Sequence, residues 1–174
     1  GTYGTPPPAS FYLKVTETWN GTGWTEVGDL NIGRQQMGAA TQGSSTATLC
    51  IAGELDVPYS PRTASYVESW NGTSWTEIAD VNTARTNGSG AGIQTNALYF
   101  SGYTPGGVSA LTENWNGTSW TEVGDLGTAR TAGAGNGVAS TAIMTGGNFN
   151  TPGGSTATEL FDDPSYVIKT VTTS

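Results

Sequence analysis

The sequence predicts an all-β protein made of repeated four-stranded antiparallel units. Three observations carry that prediction. Aromatic residues occur in pairs five apart, and the pairs recur at intervals of 45 to 51 residues. Three of the pairs bracket an Asn-Gly dipeptide, a strong hairpin signal. An apolar run closing on glycine lies ahead of each later pair, as TLCIAG, ALYFSG and TAIMTGG.

The copies begin at Thr16 (TETWNGTGWTEVGDL), Tyr66 (YVESWNGTSWTEIADV), Leu111 (LTENWNGTSWTEVGDL) and Thr158 (TELFDDPSYVIKTV). Their aromatic pairs are Trp19/Trp24, Trp70/Trp75, Trp115/Trp120 and Phe161/Tyr166. A glutamate stands two residues before each first aromatic, at Glu17, Glu68, Glu113 and Glu159. Three copies continue to an aspartate and, five residues on, an arginine: Asp29/Arg34, Asp80/Arg85 and Asp125/Arg130. A Gly/Ala-rich stretch, the apolar-Gly run and a loop of variable length complete the cycle. Fixed-period self-similarity of this kind marks a repeat architecture.

Each copy reads as four strands. In WNGTSW the turn centres on Asn-Gly or on Gly-Thr, and either register puts both Trp on one face, because side chains alternate with period two. In the second copy the outer pair of strands falls near 64–70 and 74–79, and the inner pair that follows near 88–94 and 96–102. The first inner strand is rich in small residues, which suits strands crowded against one another near a narrow axis. The chain opens inside a unit, since GTYGTPPPAS matches the loop after an apolar-Gly strand. The expected organisation is a half unit over 1–28, full units over 29–78 and 79–124, and a last unit with a degenerate hairpin over 125–174.

Composition narrows function. The net charge is −8, with six Lys and Arg among 174 residues, so nucleic acid and anionic membranes are unsuited partners. No apolar run approaches the ~20 residues needed to span a bilayer. Histidine is absent, which removes Ser-His-Asp and Cys-His catalysis, His-ligated metals and the usual neutral-pH general base. The expectation is a protein with no enzymatic activity, cofactor or metal. Asp162-Asp163-Pro164 lacks the alternating oxygens of a calcium loop and reads as a turn. Cys50, the single cysteine, lies in an apolar run and reads as a small buried hydrophobe.

Four strands per 45–50 residues, an apolar-Gly strand and a spaced aromatic pair resemble the kelch repeat of β-propellers. Gly146-Gly147 keeps the kelch Gly-Gly doublet, and Ala52-Gly53 and Ser101-Gly102 keep its second half. The form WNGTSWTEV…DLxTAR with the closing IKTVTTS is similar to kelch-like repeat proteins of tailed phages, especially from aquatic samples. The resemblance implies kelch-like four-stranded antiparallel blades, about 3.5 repeats of a partial β-propeller, on a virion or an extracellular surface. A β-trefoil and a stacked β-solenoid are the rival folds.

The repeated features read first as scaffolding: Asp and Arg as a charge-assisted link across the turn between blades, the Trp pairs as packing between blades. A polar groove along the Asp/Arg positions and sugar stacking on the Trp are the functional alternatives. Asn-x-Ser/Thr sequons at Asn20, Asn71, Asn87 and Asn116 are possible glycosylation sites. Binding in repeat proteins tends to use what differs between units. That singles out the loops 54–61, 103–109 and 148–155, with Tyr59, Tyr103 and Phe149 as contacts for a surface glycan, host receptor or other protein. The function expected is a structural or binding module: a phage fibre or surface-decoration protein for host or glycan attachment. The alternatives are an extracellular, glycosylated adhesin or filament subunit and, remotely, a propeller-scaffold glycan hydrolase. Three and a half blades do not close a ring. The half unit, with strands over 11–18 and 23–28 and an apolar edge at Phe11, Leu13 and Val15, is therefore expected to pair with other polypeptide, either upstream sequence or a neighbouring subunit.

Overall fold

A computed structural model describes residues 12–57, 60–149, 154 and 156–162. The described residues form β-strands and turns, with no helix and hence none long and apolar enough to cross a membrane. A short hairpin comes first, β1 (Glu17–Trp19) and β2 (Trp24–Glu26). A five-stranded antiparallel sheet follows, built from β3 (Arg34–Gln35) and β4 (Gly38–Ala39), both paired to β5 (Thr48–Leu55), then β6 (Thr63–Trp70) and β7 (Trp75–Ile78). The next sheet has the order β8 (Ser89–Ile93), β9 (Asn96–Phe100), β12 (Thr112–Trp115), β13 (Trp120–Glu122). Between β9 and β12 the loop forms a small hairpin of its own, β10 (Tyr103–Thr104) and β11 (Gly107–Val108). The last sheet runs β14 (Ala134–Val138), β15 (Thr141–Thr145), β16 (Thr158–Asp162). Tyr166, the second strand of the last hairpin, Asp163-Pro164 and Phe11 lie outside the described residues.

The inner hairpin of each sheet therefore pairs with the aromatic hairpin that follows it in sequence, through β5–β6, β9–β12 and β15–β16. The first unit has only the aromatic hairpin among the described residues. Its strands are shorter than the expected 11–18 and 23–28. Before Glu17 the chain leaves the ladder, although Lys14 and Thr16 still accept hydrogen bonds from Leu30 and Val27 N–H groups.

The hairpin turn is the same in the first three copies. Trp19 pairs with Trp24, Trp70 with Trp75 and Trp115 with Trp120, and the turn centres on Gly-Thr. Gly21, Gly72 and Gly117 take φ of 98°, 92° and 93°, which glycine adopts without steric cost. The preceding Asn is not a positive-φ residue here. Its Oδ1 instead accepts the two backbone N–H groups that follow the Gly, as Asn71 does from Thr73 and Ser74, both at 2.9 Å. The turn thus holds the indoles at ring-centroid distances of 5.5, 5.3 and 5.4 Å in the three copies.

Apolar layers lie between consecutive sheets rather than at one centre. Leu49, Ile51 and Val67 of one sheet cluster with Ala97, Tyr99, Trp115 and Trp120 of the next. Leu98 and Phe100 in turn cluster with Ala142 and Met144. Each unit buries its face on its neighbours, as in quasi-one-dimensional repeats. The inner strands β4, β8 and β14 approach most closely. A Cβ on Gly38 would sit 2.5 Å from the Tyr99 ring, and one on Gly135 2.7 Å from Phe100 Cζ, so the Gly/Ala-rich strand is a spacing requirement. Backbone bonds from Asn87 N–H to Gln36 O and from Ala132 N–H to Asn87 O, both 2.9 Å, run from sheet to sheet along this side. Gln42 of the first sheet even reaches Asn136 of the last, Nε2 to Oδ1 at 2.6 Å, so the row curves with its inner strands converging. Among the described residues no strand pairing joins the first hairpin to the last sheet.

The apolar-Gly runs carry the same positive-φ pair, as a bulge within β5 and directly after β9 and β15. Ala52, Ser101 and Gly146 have φ of 57°, 64° and 65°, and Gly53, Gly102 and Gly147 have 112°, 113° and 99°. The N–H of Gly53 and of Gly102 then bonds to the carbonyl of Arg85 and Arg130 in the next unit. Ala52 and Ser101 bear a left-handed conformation that disfavours a Cβ. Replacing either by Gly is expected to raise stability by about 0.5–1 kcal/mol, whereas Gly102→Ala is expected to cost roughly 1–3 kcal/mol. Urea denaturation followed by Trp fluorescence measures both.

Candidate functional site

The charged residues fall into two groups, one inside the repeat and one outside it. Inside it, each arginine is buried and pairs with the glutamate of its own sheet. Arg34 lies 2.9 Å from Glu68, Arg85 2.5 Å from Glu113 and Arg130 2.8 Å from Glu159. This corrects the expected Asp/Arg link. Asp80 instead accepts the Ser65 hydroxyl at 2.9 Å and Asp125 the Thr112 N–H at 3.0 Å. The glutamate wins because strand β6 or β12 aims it between sheets, toward the entering arginine, where a desolvated cation needs a partner.

The glutamates also fix the connection between units. Glu113 accepts the Asn82 N–H at 2.6 Å, Asn82 Nδ2 at 2.8 Å and the Thr83 N–H at 3.2 Å. Glu68 accepts the Asn31 N–H and Nδ2 in the same way, at 2.8 and 2.7 Å. In the third copy Gly127 takes the place of Asn and gives its N–H alone. Sequence reading passed over Asn31 and Asn82, although their constant spacing three residues before each Arg was available as a signal. These arginines line no accessible groove. Arg85 and Arg130 are fully buried, and the Arg85 guanidinium lies 4.4 Å from the Tyr99 ring centroid.

The Trp pairs are likewise structural in the second and third copies. Trp70 and Trp115 donate to inner-turn carbonyls of their own sheets, Ser45 and Gln94, both at 3.0 Å. Trp75 and Trp120 reach the preceding unit, at the Thr16 hydroxyl (2.9 Å) and the Ala79 carbonyl (3.0 Å). Cys50 is buried and free, and burial raises its thiol pKa, with Arg34 nearby opposing the rise. The hairpin sequon residues Asn20, Asn71 and Asn116 are exposed. Asn87 is half-buried, with Nδ2 bonded to Gln36.

Outside the repeat, two variable loops from consecutive units meet. A groove of about 360 Å³ is lined by Glu54, Ser60, Pro61, Arg62 and Thr63 on one side and by Thr86, Tyr103, Thr104 and Pro105 on the other. Tyr103 is 41% exposed, and its backbone is held by reciprocal bonds with Thr86 at 3.0 and 2.7 Å. Arg62 is half-exposed and lies 3.9 Å from Glu54, whose second oxygen accepts Gln35 Nε2 at 3.0 Å. Of the three aromatic contacts expected, Tyr103 lines this groove, the half-buried Phe149 does not, and Tyr59 lies outside the described residues. Glu54 falls in the expected loop 54–61 without being singled out, and Arg62 lies just beyond it. Arg62 is the one arginine outside the repeat, and subtracting the repeat from the sequence exposes it.

No known family model matches the chain, and no curated protein matches it.

Two tests follow from the buried network. Glu113→Ala strands a buried guanidinium and is expected to cost about 3–5 kcal/mol. The exposed equivalent Glu17→Ala should change stability by no more than about 0.5 kcal/mol. Denaturant midpoints compare them. Burial pushes the Tyr99 phenol up to about 12, against the opposing charge of Arg85. A raised folded-state pKa gives stability that is present below pH 10 and lost as pH climbs toward 12. Alkaline titration of unfolding should show a loss on the order of 2 kcal/mol across that window. Tyr99→Phe should remove that component.

Proposed function

We propose that this chain is a non-enzymatic attachment module whose sheets are kelch-like blades of a partial β-propeller, carried on a tailed-phage virion as a fibre or surface-decoration protein, with a surface glycan as its ligand. The observation that carries the reading is the groove between the two variable loops. The half-exposed Tyr103 phenol ring, on a backbone held by Thr86, supplies a stacking face for a sugar. Arg62, Glu54 and the Thr86 and Thr104 side chains supply polar groups around it. An apolar wall with a few convergent polar groups is the usual make-up of a small-ligand site.

Two further points support the blade assignment. The positive-φ pair at Ala52-Gly53 and Ser101-Gly102 reproduces the backbone of Gly146-Gly147, the position of the kelch doublet. The inner strands converge, as blades do around an axis. A second reading, a glycosylated extracellular adhesin, is favoured by the exposure of Asn20, Asn71 and Asn116. It predicts glycan mass on those residues in the protein from its native source, and intact mass spectrometry separates the two.

Binding is tested on an oligosaccharide array with the full chain. Tyr103→Ala and Arg62→Ala are each expected to weaken the best ligand at least tenfold, about 1.4 kcal/mol, with the thermal midpoint unchanged. Array silence, or binding indifferent to both substitutions, overturns the glycan reading. Competition by the purified chain against phage adsorption to host cells tests the virion role.

A further inference from the structure

The first hairpin has the geometry of the other two and lacks their surroundings. Its indoles stand 5.5 Å apart, as in the later copies, yet Trp19 is 50% and Trp24 65% exposed, against 4% for Trp70 and 3% for Trp115. Glu17 is exposed and makes no ion pair among the described residues, whereas its equivalents Glu68, Glu113 and Glu159 each hold an arginine. The outer edge of β1 has no strand beside it among the described residues. Leu13 and Val15 next to it are exposed too.

What covers these groups elsewhere in the molecule is known from the repeat. In each complete unit the strand bearing the glutamate pairs with an apolar-Gly strand in one register. Glu68, Glu113 and Glu159 face Cys50, Tyr99 and Met144, each three residues before the closing glycine. The first aromatic faces a small residue, Thr48, Ala97 or Ala142. The arginine comes from just ahead of the Gly/Ala-rich partner of that strand. In two units a carbonyl in the inner turn accepts the indole N–H. The strands β5, β9 and β15 are each already paired on both edges, so the described chain has no spare copy to offer.

We infer that the β1 edge is a docking site for an arginine-bearing β-hairpin of this same repeat type, supplied by another polypeptide segment. The incoming apolar strand adds to β1 by backbone pairing. Its arginine neutralises Glu17, and its turn covers Trp19. The charge match is specific. An edge strand alone accepts many partners, but a strand without the arginine would bury Glu17 unpaired, which is costly. The inference rests on the repeat and is independent of the virion and glycan readings.

The probe is a synthetic peptide of residues 82–103, which carries Arg85, β8 and β9, added to the full-length chain. Saturable binding with a blue shift of Trp emission is expected. It should weaken at least tenfold with Glu17→Gln in the chain or with Arg85→Gln in the peptide. Because the peptide alone need not fold, the second arm places residues 79–110 ahead of Gly1 through a Gly/Ser linker. This fusion should raise the thermal midpoint by several degrees, and its version lacking the arginine should not. No binding together with no rise overturns the inference. So does an effect that ignores both charge substitutions, or sedimentation showing that the chain fills this edge by self-association with no hairpin added.

Discussion

In each complete unit a guanidinium enters between two sheets and meets a glutamate projecting from the strand beside it. Around that contact the connection from the previous unit is pinned, because the same carboxylate accepts the backbone N–H of Asn31, Asn82 or Gly127. The Arg34–Glu68 and Arg85–Glu113 pairs are sequestered from water, while Glu159 in the third pair is partly exposed. The worth of the buried pairs lies less in net attraction than in what their absence would leave behind. A unit that slipped by one residue would turn the glutamate to the other face and strand the arginine. The pair therefore fixes strand register, the entry of the chain and the stacking of sheets together.

The hydrophobic layers depend on that alignment. Leu49, Ile51 and Val67 are fully buried only because the next sheet lies close enough to cover them, and the approach is set by glycines on the inner strands. The second Trp of each later pair spans the same seam by donating its N–H to the preceding unit. Stability is then passed from neighbour to neighbour, and a unit without a neighbour leaves its apolar surface bare. Among the described residues no strand pairs with the outer edge of β1, and Trp19 and Trp24 are exposed there.

Function, on the reading proposed above, sits where the repeat is silent. In the complete units the repeated Arg, Glu and first Trp are committed to holding the sheets together. The end of β5 and the loops after β5 and β9 carry no such duty, and they bring Glu54, Arg62 and Tyr103 to one groove. The hairpin β10–β11 and the Thr86–Tyr103 bridge form one wall of that groove without drawing on the buried network.

Much of this was legible in the sequence because it is local. Asn-Gly and the five-residue Trp spacing specify a hairpin with both indoles on one face. The Gly/Ala-rich stretch announces close strands, and the apolar-Gly run announces the strand whose closing glycine belongs to a positive-φ pair. The partner of each arginine was not legible. Aspartate is five residues away in sequence and glutamate about thirty, and only the fold decides which carboxylate is brought into the dry layer. The role of Asn in the turn escaped for a subtler reason, since side-chain capping and positive φ favour the same residue. The groove was half legible. Loop variability pointed to Tyr103, but the meeting of two loops from successive units, and so the place of Glu54 and Arg62 beside it, follows from how far each sheet is rotated and shifted against the next. That offset is set by buried side-chain volumes and hydrogen bonds between units, which no single stretch of sequence contains.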